Sequence, residues 1–89
     1  MPDTGRLMAY RYSLDQAVDD VLATVPRREA TSLRDFFRFL AQHPATAGEL
    51  RVTDRDGRPC DVRVHGRFVV TYRQDHAARE VRIVAVELG

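Results

Sequence analysis

Between residues 49 and 88, apolar and polar residues alternate in four short runs separated by turn signals, and this constrains the fold more than any other feature. The runs are Glu49-Leu-Arg-Val-Thr-Asp54, Cys60-Asp-Val-Arg-Val-His65, Arg67-Phe-Val-Val-Thr-Tyr-Arg73 and Glu80-Val-Arg-Ile-Val-Ala-Val-Glu-Leu88. Alternation with period two predicts strands that send successive side chains to opposite faces of a sheet. Asp56-Gly57 and His65-Gly66 have the chemistry of hairpin turns, and residues 75–79 form a longer connection. The expectation is a meander with Leu50, Val52, Val62, Val64, Phe68, Val70 and Tyr72 on a covered side. Arg51, Arg63, His65, Arg67 and Arg73 would then share an uncovered side. The last run is apolar nearly throughout, as a central strand would be.

Upstream the period changes. Tyr10-Arg-Tyr12 predicts a short strand, and Ser13-Leu-Asp-Gln16 has the pattern of a capping box that opens a helix. Leu14, Ala17, Val18, Val21, Leu22 and Val25 follow at helical spacing. Pro26 closes that helix or sits in a very short connection. A second helix is expected over about 28–43, with Ala30, Leu33, Phe36, Phe37, Leu40 and Ala41 inward and Phe39 off the stripe. Pro44 and Gly48 end it. So short a link predicts a helical hairpin. The fold class is therefore α+β: an N-terminal strand and a helical hairpin packed on one face of a four- to five-stranded, mostly antiparallel sheet. A single domain over 8–89 is expected, preceded by a disordered extension at 1–7.

Eighty-nine residues allow one modest core. The formal net charge is only +1, from 14 basic and 13 acidic residues, so any surface for nucleic acid must be a local one. All the basic residues are Arg. Arg suits phosphate and carboxylate, although biased codon usage is the simpler explanation. Cys60 is the single cysteine, which excludes an internal disulfide. His43, His65 and His76 lack ligand spacing, so neither a metal nor a cofactor is expected. No run approaches the ~20 apolar residues of a membrane span, and the expected compartment is the cytoplasm.

The chain resembles the RelE/ParE superfamily of bacterial type II toxins over residues 10–88. The resemblance rests on the strand and helical hairpin, Leu40-Ala-Gln-His-Pro44 closing the second helix, Gly66-Arg-Phe-Val-Val-Thr-Tyr72, and Val81-Arg-Ile-Val-Ala-Val86. It implies a toxin neutralised by a cognate antitoxin that wraps it. Some members cleave mRNA in the ribosomal A site, and others inhibit DNA gyrase. In the cleaving branch, basic residues on the second and third meander strands line the uncovered face with a C-terminal Arg and Tyr. Arg63 matches one such position. The position two residues earlier is Asp61, and the Arg expected after the leading aromatic of the next strand falls at Val69. The sequence ends at Gly89, before the C-terminal segment.

RNA cleavage by this route needs a group to activate the 2′-hydroxyl and cations for the developing phosphorane charge. His65, Arg63 and Arg67 are the catalytic candidates, and Arg51, Arg63, Arg67 and Arg73 the RNA-binding ones. The plainer reading makes His65 a solvated turn residue and the arginines solvated partners of Asp61, Glu49 and Asp54. Tyr72 shares parity with Phe68 and Val70 and is expected in the core, and Cys60 is read as a small buried apolar residue. The leading expectation is a toxin acting as a ribosome-dependent mRNA endonuclease. The alternatives are a non-enzymatic gyrase inhibitor and a non-toxic protein-interaction relative. A homodimer is left open.

Overall fold

The computed structural model describes residues 10–89. The expected extension at 1–7 lies outside the described residues. The chain order is β1 (Arg11–Leu14), α1 (Gln16–Thr24), α2 (Arg27–Gln42), β2 (Leu50–Thr53), β3 (Pro59–His65), β4 (Phe68–Asp75) and β5 (Glu80–Leu88). The five strands form one sheet in the order β1-β5-β4-β3-β2. β1 runs parallel to β5, and the other neighbours are antiparallel. The expected α+β architecture stands, with both helices packed on one face.

The helical periods produce the core. Val18 and Leu22 of α1 and Leu33, Phe36, Phe37 and Leu40 of α2 meet Phe68, Val70, Tyr72, Val81, Ile83 and Val86 of the sheet. Ala17 is exposed rather than part of the stripe. Phe39, off the stripe as expected, is 40% exposed and stacks on Phe36 at 6.4 Å. Val81, Ile83 and Val86 all face inward despite their uneven spacing. The register passes from Thr71 opposite Ala85 to Tyr72 opposite Ile83, so Val84 is an extra residue. This bulge restores inward parity for Ile83 after Val86.

The expected capping box at Ser13 does not form. β1 continues to Leu14, and the Asp15 backbone N–H donates to the Ile83 carbonyl at 3.0 Å, prolonging the ladder before α1 starts at Gln16. Asp15 makes no side-chain cap. Its carboxylate accepts from Arg82 Nε at 2.7 Å, and Arg82 also donates to Ser13 Oγ at 3.4 Å.

Contacts at two places tie the α2–β2 connection to β4 and α2 to the β3–β4 turn. The Thr46 carbonyl accepts from the Tyr72 hydroxyl and from Gln74 Nε2, both at 3.2 Å. Burial, then the charge of Asp61, push the Tyr72 phenol up, so it stays a protonated core donor, as its parity predicted. Arg67 donates through Nε and NH2 to both oxygens of Glu29 on α2, at 2.5 and 2.6 Å, a two-point clasp between the β3–β4 turn and the helix.

Gly48 passes directly over β3. A Cβ there would lie 2.6 Å from the Val62 carbonyl oxygen and 2.7 Å from its nitrogen. Gly48→Ala is therefore expected to destabilise the fold by about 1–3 kcal/mol, as overpacking does. Chemical denaturation would read this as a lower midpoint with unchanged slope, and an unaltered midpoint would show that the crossing is loose.

The clasp gives a pH dependence. Hydrogen bonds from Arg67 hold the Glu29 carboxyl below its ordinary value of 4.5, against a smaller upward push from desolvation. A carboxyl depressed on folding contributes stability that is full above the unfolded value and is lost as pH falls through the folded one. Denaturation midpoints should thus fall in wild type below about pH 4.5 more steeply than in Glu29→Gln. Parallel profiles for the two proteins would rule out the clasp as the source.

Candidate functional site

The cationic residues picked out by alternation do not share one face. Arg51 is opposite Asp61, Arg63 opposite Val70 and His65 opposite Phe68, so these three point to the helix side. Arg73 is opposite Arg82 and points to the other side, and Arg67 lies in the turn and reaches back to Glu29. The expectation that Arg51, Arg63, His65, Arg67 and Arg73 line a single uncovered surface is corrected here. The cause is the two-residue loop Gly66-Arg67 between His65 and Phe68. Gly66 has φ of +61°, and Arg67 is not among the positive-φ residues, the pattern of a II′ hairpin. Any two-residue loop at this place pairs odd positions of β3 with even positions of β4. Val62 and Val64 must then face away from Phe68 and Val70.

On the helix side each candidate is engaged by the chain itself. His65 Nε2 shares a hydrogen bond with Ser32 Oγ at 2.9 Å, and its ring stacks on Phe36 at 4.5 Å and 11°. Arg63 donates to the Ala47 carbonyl at 3.4 Å. Arg51 Nε lies 3.4 Å from an oxygen of Asp61, a buried carboxylate. A general base and the cations that neutralise a phosphorane must converge within hydrogen-bond reach of one phosphate. Here they are distributed along β3 and its flanks, each with a partner already in place.

The uncovered face is the surface the sequence reading missed. It carries Leu50 and Val52 of β2, Val62 and Val64 of β3, and Val69 and Thr71 of β4. Leu50 is 59% exposed and Val64 53%. Val69, the position at which the sequence resemblance implies an Arg, belongs to this apolar strip. Cys60 faces the same way but is buried, with Sγ 3.8 Å from the Arg58 carbonyl oxygen. Burial, then the charge of Asp54, push its thiol up, which removes it as a nucleophile at neutral pH.

Beside the strip an open cleft of about 800 Å³ lies between the start of α1, the β2–β3 turn and the outer side of β4 and β5. Asp15, Asp54, Arg55, Asp56, Arg73 and Arg82 supply its charges. Among the described residues, no group of three or more His, Cys, Asp or Glu side chains could hold a metal ion. No helix among them is long and apolar enough to cross a membrane.

No family model and no curated protein matches the sequence. Solved structures do match in shape. One is the toxin–antitoxin complex RelBE2 from Mycobacterium tuberculosis, with a TM-score of 0.70 and 18% identity over 91% of this chain and 99% of that one. Another is the archaeal RelE–RelB complex from Pyrococcus horikoshii OT3, with a TM-score of 0.72 and 14% identity over 90% of this chain and 94% of that one. At such identities the likeness is one of backbone. The two helices on a five-stranded mixed sheet are the fold of the RelE toxins, as the sequence resemblance implied.

Proposed function

We propose that this chain is the toxin component of a toxin–antitoxin pair and that it works by holding proteins on the uncovered face of its sheet. The fold supports the first half. The observation that carries the second is the exposure of Leu50, Val52 and Val64 on the side opposite the helices. A contiguous apolar surface rimmed by polar residues marks a protein-binding site. Burying it returns about 25 cal/mol for each Å² of apolar area removed from water. A small antitoxin is the first occupant of that face.

The same face distinguishes between targets. A ribosome-dependent endonuclease would use His65 as base, Arg63 and Arg67 to neutralise charge, and Arg51, Arg63, Arg67 and Arg73 to hold RNA. The divided placement of these residues favours the other toxin class, which binds a protein target such as DNA gyrase without cleaving a bond. Backbone tracking of RNA relies on a continuous cationic groove, and the uncovered face is aliphatic across Leu50, Val52, Val62, Val64 and Val69.

Induced expression is expected to arrest growth, and co-expression of the product of an adjoining small open reading frame to relieve the arrest. The Arg63→Ala/Arg67→Ala double variant should still arrest growth, and a reporter mRNA on ribosomes should stay intact. Val64→Asp should weaken both arrest and relief. Ribosome-dependent cleavage that disappears in the double variant would reinstate the endonuclease, and normal growth on induction would remove the toxin assignment.

A further inference from the structure

We propose that the cleft at Arg73 is a carboxylate-binding site, and that the antitoxin segment covering the apolar strip places an Asp or Glu side chain in it. This rests on the toxin–antitoxin reading and specifies the chemistry of the partner.

The cleft adjoins the strip. Val52 is opposite Cys60, and continuing the β3–β4 register one step beyond Asp61 and Tyr72 sets Cys60 opposite Arg73. A segment lying on Leu50, Val52 and Val62 therefore reaches Arg73 within one residue row. Arg73 is half-buried and stands directly across from Arg82, a like-charged neighbour. Opposed like charges on adjacent strands are destabilising unless each is neutralised. Arg82 is, by Asp15 at 2.7 Å. Among the described residues no carboxylate comes into ion-pair contact with Arg73, and its Nε is buried without an acceptor.

Of the other acids of the cleft, Asp54 is near enough for its charge to act on Arg73, but it makes no ion-pair contact and its oxygens are engaged elsewhere. One oxygen of Asp54 accepts the backbone N–H groups of Asp56 and Arg58, both at 2.9 Å, and the other lies 3.9 Å from Cys60 Sγ. Asp56 is exposed at the hairpin tip beside Arg55. Buried donors without acceptors are rare in folded proteins, and an acceptor supplied from outside the chain would satisfy this one. A guanidinium fork suits a carboxylate. A phosphate of RNA has the same charge, but the aliphatic neighbours Val52, Leu50 and Val64 fit peptide side chains rather than a nucleic-acid backbone.

The test uses the chain and its co-expressed antitoxin, with affinity measured by calorimetry and folding checked by thermal melting. Arg73→Gln retains the stem and removes the charge. It is expected to weaken binding roughly 30-fold or more, as truncation of one member of a buried charge pair does, and to flatten the salt dependence. Arg34→Gln, exposed on α2, should bind as wild type. A second arm exchanges each acidic residue of the antitoxin for Lys, one of which should regain affinity against Arg73→Glu. If the antitoxin binds and relieves growth arrest while Arg73→Gln binds as wild type, the carboxylate site is wrong and the toxin reading survives. If wild type binds no antitoxin and arrests nothing, both fall. Loss of RNA binding in Arg73→Gln with antitoxin affinity intact would reassign the cleft to nucleic acid.

Discussion

The disposition of chemistry in this molecule depends on one tight turn. Gly66 supplies the positive φ that a two-residue hairpin loop requires, and the loop sets His65 against Phe68. Because side chains alternate with period two, that one pairing decides the face of every residue on β3. The pairing of β3 with β2 carries the decision outward to Arg51 and Leu50. An odd-length loop would have placed the valines of β3 under the helices and its arginine and histidine outside. The chain instead puts a polar row on the helix side, against α2 at His65 and the α2–β2 connection at Arg63, and an aliphatic row in solvent.

A polar row on the covered side is tolerable because its members have partners. His65 is stacked and hydrogen-bonded by α2, Arg67 is clasped by Glu29, and Asp61 faces Arg51. The pairs are unequal in exposure: Asp61 keeps 6% of its side-chain surface and Arg51 67%. A buried carboxylate gains most from such a pair, since alone it would be a desolvated charge. The exposed arginines contribute orientation more than stability.

Much of the fold was legible because helical and strand periods are local properties. The stripe Leu33, Phe36, Phe37, Leu40 and Ala41 is buried as its spacing indicated, and Tyr72 and Phe39 sit where parity put them. The failures occurred where a non-local contact decides. Ser13 reads as a cap, but the parallel ladder of β1 against β5 carries the strand past it. Val84 is an ordinary apolar residue in a run, and only the register reveals a bulge. The alternation of β3 shows that Val62 and Val64 share a side but cannot show which. The length of the next loop could have: His65-Gly66, the turn first read, is also two residues long and has the same parity.

The fold shared with the RelE structures does not depend on which residues β3 turns outward. The helices touch the sheet mainly through β4, β5 and β1, whose inward residues are apolar and set the core. Substitutions at Val62, Val64 and Val69 lie outside that core, so sequence drift there alters binding chemistry with little effect on folding. An aliphatic outer face also brings a hazard, since β2 is an edge strand with all four residues exposed. Its brevity and the charge of Arg51 limit edge-to-edge pairing, as short charged edges do. The face itself has no such guard, so the exposed Leu50 and Val64 side chains are what any covering surface would remove from water.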